Sequence, residues 1–306
     1  MITIFDLVRP FPKNIKIEKS KNIDCYFDYK KYVRIDILCK NLLKLNDNNL
    51  FEALSIFGKN HYNFRDTLYY NLQELTISEI YDKNIDGTYV LSSDTNDLSY
   101  KTFEDIYHEL LHVASSQLDK TKNVLYSGFG FYEGKSNVSI GEGITDGYIE
   151  LICDRDLHEG RFIHNIKPNY EGYSVNYFYA KSLARQLEIV VGKDLLKDMF
   201  FSYGYLRLNE FLLQYKDQES INQFFKNCDI AAIAENYRNP LLNKKVIQAQ
   251  EFLLDIIKQY MPHKQEIIKK EKLISVGTFG RYLTTGVVQE ELEKIRQMKV
   301  NLDKRR

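Results

Sequence analysis

Apolar residues recur along most of this chain at helical spacing. They fall at intervals of three and four from Lys31 to about Leu45 and from Leu50 to Phe57, where Gly58 offers a stop. A third helical pattern, with Tyr69, Leu72 and Leu75 on one side, covers about Phe64 to Ile80. Residues 1–37 differ: Pro10 and Pro12 break the start, and Ile15–Glu18 and Ile23–Asp28 alternate with a period near two, as in irregular chain or short strands. Gly87–Ser93 is β-branched and aromatic in its first half and is bounded by Asp86-Gly87 and Asp94–Asp97, which predicts a short strand followed by a turn.

The second half is predominantly helical. A strong pattern runs from Tyr173 to about Val191 and ends at Gly192; another helix starts at Asp194, and short helical segments continue to Tyr237. Pro240 opens a long helix to Met261, which Pro262 interrupts, and Gln289–Val300 reads as a charged, solvated terminal helix. Between Thr121 and Ser139 the chain is rich in glycine and aromatics without clear periodicity, so a loop is expected, with a plain hairpin as the alternative. There is no internal repeat. The pattern as a whole predicts an α+β fold with a small sheet and a largely α-helical second half.

One helical stretch carries chemistry. In Phe103–Ser116, Ile106, Tyr107, Leu110, Leu111, Val113 and Ala114 fill one side, while Glu104, Asp105, His108, Glu109, His112, Ser115 and Ser116 share a wedge of roughly 140°. Thr102, three residues before Asp105, predicts a capping-box start. His108-Glu109-x-x-His112 sets two imidazoles one turn apart on one face, a bidentate claw for a metal. Zinc in hydrolytic sites takes nitrogen and oxygen ligands at ~2.0–2.2 Å and keeps a position open for water. Glu109, about 100° further round the helix, faces that position as general base rather than ligand. The competing reading is an amphipathic helix whose solvated face happens to carry these residues.

Composition narrows the field. Among 306 residues, 42 basic balance 42 acidic side chains, so the chain lacks the electrostatic footprint of a nucleic-acid binder. No stretch reaches the ~18 uncharged apolar residues of a membrane span. The first ten residues carry Asp6 and Arg9 rather than a long apolar leader, and a cytoplasmic protein is expected. Cys25, Cys39, Cys153 and Cys228 are far apart and contain no Cys-x-x-Cys pair; buried free thiols are expected, and any metal must be held by histidine and carboxylate.

The second informative stretch is Ile140–Cys153. Ser139 and Glu142 have capping-box spacing, and Glu142, Asp146 and Glu150 follow at i, i+4 and i+8. In a helix these three carboxylates share a face, where like charges repel by about 0.2–0.5 kcal/mol per pair and a cation opposite relieves them. His108-Glu109-x-x-His112 followed by Glu142-x-x-x-Asp146 resembles the gluzincin metallopeptidases, the thermolysin type of zincin. The resemblance covers two short stretches, and Gly141 stands where that group usually has asparagine.

The resemblance implies a zinc ion held by His108, His112 and Glu142, with Asp146 as the outer carboxylate that orients an imidazole. It further implies a zincin-like core over 80–240, between an N-terminal α/β region at 1–79 and a helical C-terminal extension at 241–306. The substrate would be a peptide or protein, hydrolysed by metal-activated water with Glu109 as base, and the strand before the histidine helix would pair with an extended peptide. Ser115 and Leu118 stand where metzincins carry glycine and histidine. An aspartate-ligated zincin, with Asp146 as ligand, is the nearer alternative. Of the other polar groups, His61 and His263 are expected at the surface, and His158, His164, Tyr132, Tyr173 and Tyr177 are expected to be structural, though each is of a type able to polarise a carbonyl. The alternative function is a zincin-like module that binds without cleaving; the presence of Glu109 argues against it.

Overall fold

The computed structural model describes residues 34–45, 47–78, 87–134, 138–157, 177–237 and 240–264, with two short strands at 272–274 and 282–284. The readings made for residues 1–33, for Cys25, His158, His164 and Tyr173, and for the tail at 289–300 lie outside the described residues. The described residues are mixed α and β, with helices predominating. They fall into two compact units, one drawn from Met1–Gly128, Cys153–Ile163 and Phe201–Tyr203, the other from Phe129–Ile152, His164–Phe200 and Gly204–Arg306.

The described residues of the first unit open with three helices, α1 (Ile35–Leu45), α2 (Asn48–His61) and α3 (Arg65–Leu72). A three-stranded sheet follows, of β1 (Thr76–Ile77), β2 (Gly87–Leu91) and β3 (Asn96–Tyr100) in the order β1-β3-β2. β3 runs parallel to β1, with Thr76 opposite Asp97, and antiparallel to β2, with Gly87 opposite Tyr100. β2 therefore stands at an edge of this sheet. Helix α4 (Phe103–Ser115) packs on α2, α3 and β2, and leads into the antiparallel pair β4 (Ser116–Asp119) and β5 (Val124–Ser127).

Three sequence expectations change here, each for a tertiary reason. Gly58 does not stop α2, which runs on to His61; one interior glycine costs about 1 kcal/mol, and burial of Leu50, Ala53, Leu54 and Phe57 outweighs it. α3 ends at Leu72, and the β-branched Thr76 and Ile77 pair with β3 instead of continuing a helix. β3 itself, Asn96-Asp-Leu-Ser-Tyr100, is too polar to announce a strand, and the ladder on both of its sides makes it one.

In the second unit, β6 (Gly130–Glu133) and β7 (Val138–Ile140) pair antiparallel, with Phe131 opposite Ile140. The region expected as a loop is thus strand-forming in both units. Helix α5 (Glu142–Leu157), which contributes residues up to Ile152 to this unit, is followed by α6 (Phe178–Val191), α7 (Lys193–Phe200), α8 (Gly204–Leu212), α9 (Gln218–Tyr237) and α10 (Pro240–Tyr260). α9 packs along α10, and both pack on α6 around Leu183, Leu187, Phe224, Ala231, Val246 and Leu253. Gly192 ends α6 at a φ of 101°, and Pro240 opens α10, both as the sequence predicts. Among the described residues, no helix is long and apolar enough to cross a membrane.

The C-terminal end of α4 is buried, and its carbonyls need partners. Asn71 of α3 supplies them, its Nδ2 donating to Val113 O at 2.7 Å and to Ser116 O at 3.0 Å. Asn71→Ala strips both, and two buried carbonyls left unsatisfied are expected to lower stability by about 1–3 kcal/mol. Urea denaturation measures this; a loss under about 0.5 kcal/mol, the range of a surface change, would show that other groups take over.

Candidate metal centre

Helix α4 starts as its sequence predicts. Thr102 Oγ1 accepts from Asp105 N at 3.2 Å, and Asp105 Oδ2 accepts from Thr102 N at 2.7 Å. Its apolar face, Ile106, Tyr107, Leu110, Leu111, Val113 and Ala114, is fully buried. The opposite face is not the solvated face of an ordinary amphipathic helix. Glu104 is exposed, but Glu109 and His112 are each only 7% accessible, and Ser115 and Ser116 are sealed.

The His108 and His112 rings stand 5.2 Å apart, tilted by 48°. Ser127 of β5 holds His112, its Oγ 3.2 Å from Nδ1, and Ser116 donates to the same Oγ at 3.0 Å. Glu109 lies against the start of β2: a Cβ on Gly87 would stand 3.0 Å from both Cγ and Oε1 of Glu109. The missing side chain at Gly87 leaves room for the carboxylate.

Behind α4 lies a buried polar cluster that sequence reading missed. His61, expected at the surface, is 3% exposed; its Nε2 is 2.5 Å from Asp156 Oδ2 in the last turn of α5. Tyr107, the residue before His108, donates its hydroxyl to the same oxygen at 2.7 Å. The imidazole is walled by Phe57 and Phe201, with centroids at 5.2 and 5.4 Å. Burial, with the Asp156 charge second, pushes the Tyr107 hydroxyl far above the ordinary phenol range. The two aromatic rings replace water around His61, and that placement is invisible locally. His263 is exposed, as expected, and Cys153 and Cys228 are buried free thiols.

In the second unit, Glu142, Asp146 and Glu150 recur along α5 at the predicted spacing, with Asp146 buried and the other two half-buried. The start of α5 is not capped as expected. Ser139 is exposed in β7, opposite Tyr132, and Asp229 of α9 takes the cap: its Oδ2 accepts from Gly141 N at 3.1 Å and its Oδ1 from Gly143 N at 2.9 Å. Burial pushes the Asp229 carboxyl up, opposed by the backbone N–H groups of Gly143, Gly141 and Glu142. Glycines let the backbones meet. A Cβ at Gly143 would fall 2.1 Å from Cys228 O, one at Gly147 2.3 Å from Ala180 O, and Gly141 has a φ of +86°. Tyr177 stands at the N-cap of α6.

Each unit offers groups of the kind that ligate a metal: His108 and His112, one turn apart on α4, in the first, and Glu142 and Asp146, one turn apart on α5, in the second. Two imidazoles and a carboxylate suit zinc better than the all-oxygen shells of calcium or magnesium. The chain matches no protein-family model, no curated protein and no solved structure.

Gly143→Ala forces a methyl group into the Cys228 carbonyl, and α5 must move off α9. Overpacking of this kind is expected to cost about 1–3 kcal/mol or more in urea denaturation, whereas Leu195→Ala, at an exposed position, should stay within about 0.5 kcal/mol. Equal, small losses in both would contradict the close backbone contact.

Proposed function

We propose that this chain is a zinc-dependent metallopeptidase with a zincin-like core, acting on a peptide or protein substrate. His108, His112 and Glu142 hold the metal, Asp146 orients an imidazole, and Glu109 is the general base. The observation that carries this reading is the burial of Glu109 and His112 on a helix face that a surface helix would leave in water. A base that passes protons between water and a leaving amine, and an imidazole that ligates beside it, both work best where bulk water is excluded. The burial of Asp146 on the carboxylate face of α5 is further support, since an orienting carboxylate works away from bulk water.

When bound, the metal supplies Lewis acidity that polarises water and the substrate carbonyl. The chain's residues do the rest. Ser127 at Nδ1 of His112 leaves Nε2 as the ligating nitrogen. Glu109, seated against Gly87, takes a proton from the attacking water and returns it to the leaving amine. The outer edge of β2 offers N–H and C=O groups to an extended peptide.

A second reading, with Asp146 as the third ligand, is favoured by the deeper burial of Asp146 on α5, where Glu142 is half-buried. Zinc titration separates the two. If Glu142 is the ligand, Glu142→Ala abolishes tight binding and Asp146→Asn lowers affinity by about 10–100-fold; if Asp146 is the ligand, Asp146→Ala does the greater damage. His112→Ala removes stoichiometric zinc on either reading, and full retention of metal in that variant would sink both.

Glu109→Gln keeps shape and metal while lowering hydrolysis of a mixed peptide library by about 10²–10⁴-fold. Gly87→Ala, whose new methyl displaces the Glu109 carboxylate without touching a proposed ligand, should retain zinc and lower kcat by about 10²-fold. Wild-type turnover in Glu109→Gln would assign the base to another group.

A further inference from the structure

We propose that Asp229, on a helix far along the chain, is a positioning residue for the metal site: it anchors the first turn of α5 so that Glu142 is presented from a fixed backbone. The inference rests on the metallopeptidase reading above.

The first N–H groups of any helix have no partner within it, and a side chain at the N-cap ordinarily takes them. Here that position is Gly141, which has no side chain to offer. The Asp229 carboxylate takes the role from outside the helix, and it uses both oxygens. Oδ2 accepts from Gly141 N at 3.1 Å and Oδ1 from Gly143 N at 2.9 Å, so the two bonds straddle Glu142. Both are charge-assisted, and the carboxylate also opposes the positive end of the helix dipole.

A second observation is independent of the hydrogen bonds. The turn rests directly on the α9 backbone, where a Cβ at Gly143 would be 2.1 Å from Cys228 O and 2.7 Å from Asp229 Cα. One turn later, a Cβ at Gly147 would be 2.3 Å from Ala180 O of α6. First turns of helices fray, and a ligand placed there would inherit that motion. With donors on both sides gripped by one carboxylate and the backbone beneath it in contact, the Glu142 Cα cannot shift without breaking two charge-assisted bonds. A cap supplied by Ser139 would have tied the turn to the adjoining strand instead.

The test uses Asp229→Asn, nearly isosteric, and Asp229→Ser, with two readouts. In metal-free protein, amide exchange at 141–143, followed by mass spectrometry on fragments covering the turn, should accelerate in both variants. Zinc affinity, measured by competition with a chromogenic chelator, should fall by about 10–100-fold. Leu253→Ala, in the buried core of α10, serves as control: it lowers Tm but leaves zinc affinity within about twofold, as expected for a distant site. Unchanged exchange at 141–143 would overturn the proposal, as would faster exchange with wild-type zinc affinity. A wild-type protein that takes up no zinc would overturn the metallopeptidase reading itself. The exchange arm, run without metal, would still report separately whether Asp229 holds the turn.

Discussion

From Glu109 onward α4 is buried on every side, as is Tyr107 before it, so each polar group sealed there must find a partner inside the protein, because water can no longer serve. The partners come from different parts of the first unit. Asn71 of α3 takes the terminal carbonyls, Ser127 of β5 takes His112, and Asp156, itself paired with His61, accepts from the Tyr107 hydroxyl. Gly87 of β2 withholds a side chain so that Glu109 fits. The placement of several elements in this unit follows from satisfying one helix.

α5 solves the opposite problem. It presents carboxylates on one face and on the other must approach its neighbours more closely than side chains allow. Gly143 and Gly147 bring its backbone against Cys228 and Ala180, and Asp229 closes its first turn. The turn is held by backbone contact and a bidentate carboxylate.

Much of this was legible in the sequence. The helices of both halves follow from apolar spacing, and Pro240, Gly192 and the Thr102–Asp105 pair mark boundaries that the structure bears out. Those signals work because each rests on residues within one or two turns of each other. The spacing within His108, Glu109 and His112, and that within Glu142 and Asp146, is local in the same sense. What escaped notice depends on distant partners: Thr76–Ile77 is strand only because β3 is beside it, His61 is buried only because Phe57 and Phe201 enclose it, and Asp229 caps a helix that starts 87 positions earlier in sequence, at Gly141 N–H and Gly143 N–H. The Gly128-flanked hairpins were hidden for another reason, since strands of three or four residues are too short for alternation to register.

The glycines of α5 have a consequence for tracing kinship. Where backbones touch, the chain has no freedom in side-chain size, whereas apolar cores tolerate wholesale repacking at constant volume. A descendant could exchange nearly every Leu, Ile and Phe of this unit and keep its shape. It could not enlarge positions 143 or 147 without prying three helices apart. A four-residue glycine interval in which an acid precedes each glycine, with a further acid supplied by a later helix, is therefore a fingerprint that should outlast any similarity measured over the whole chain.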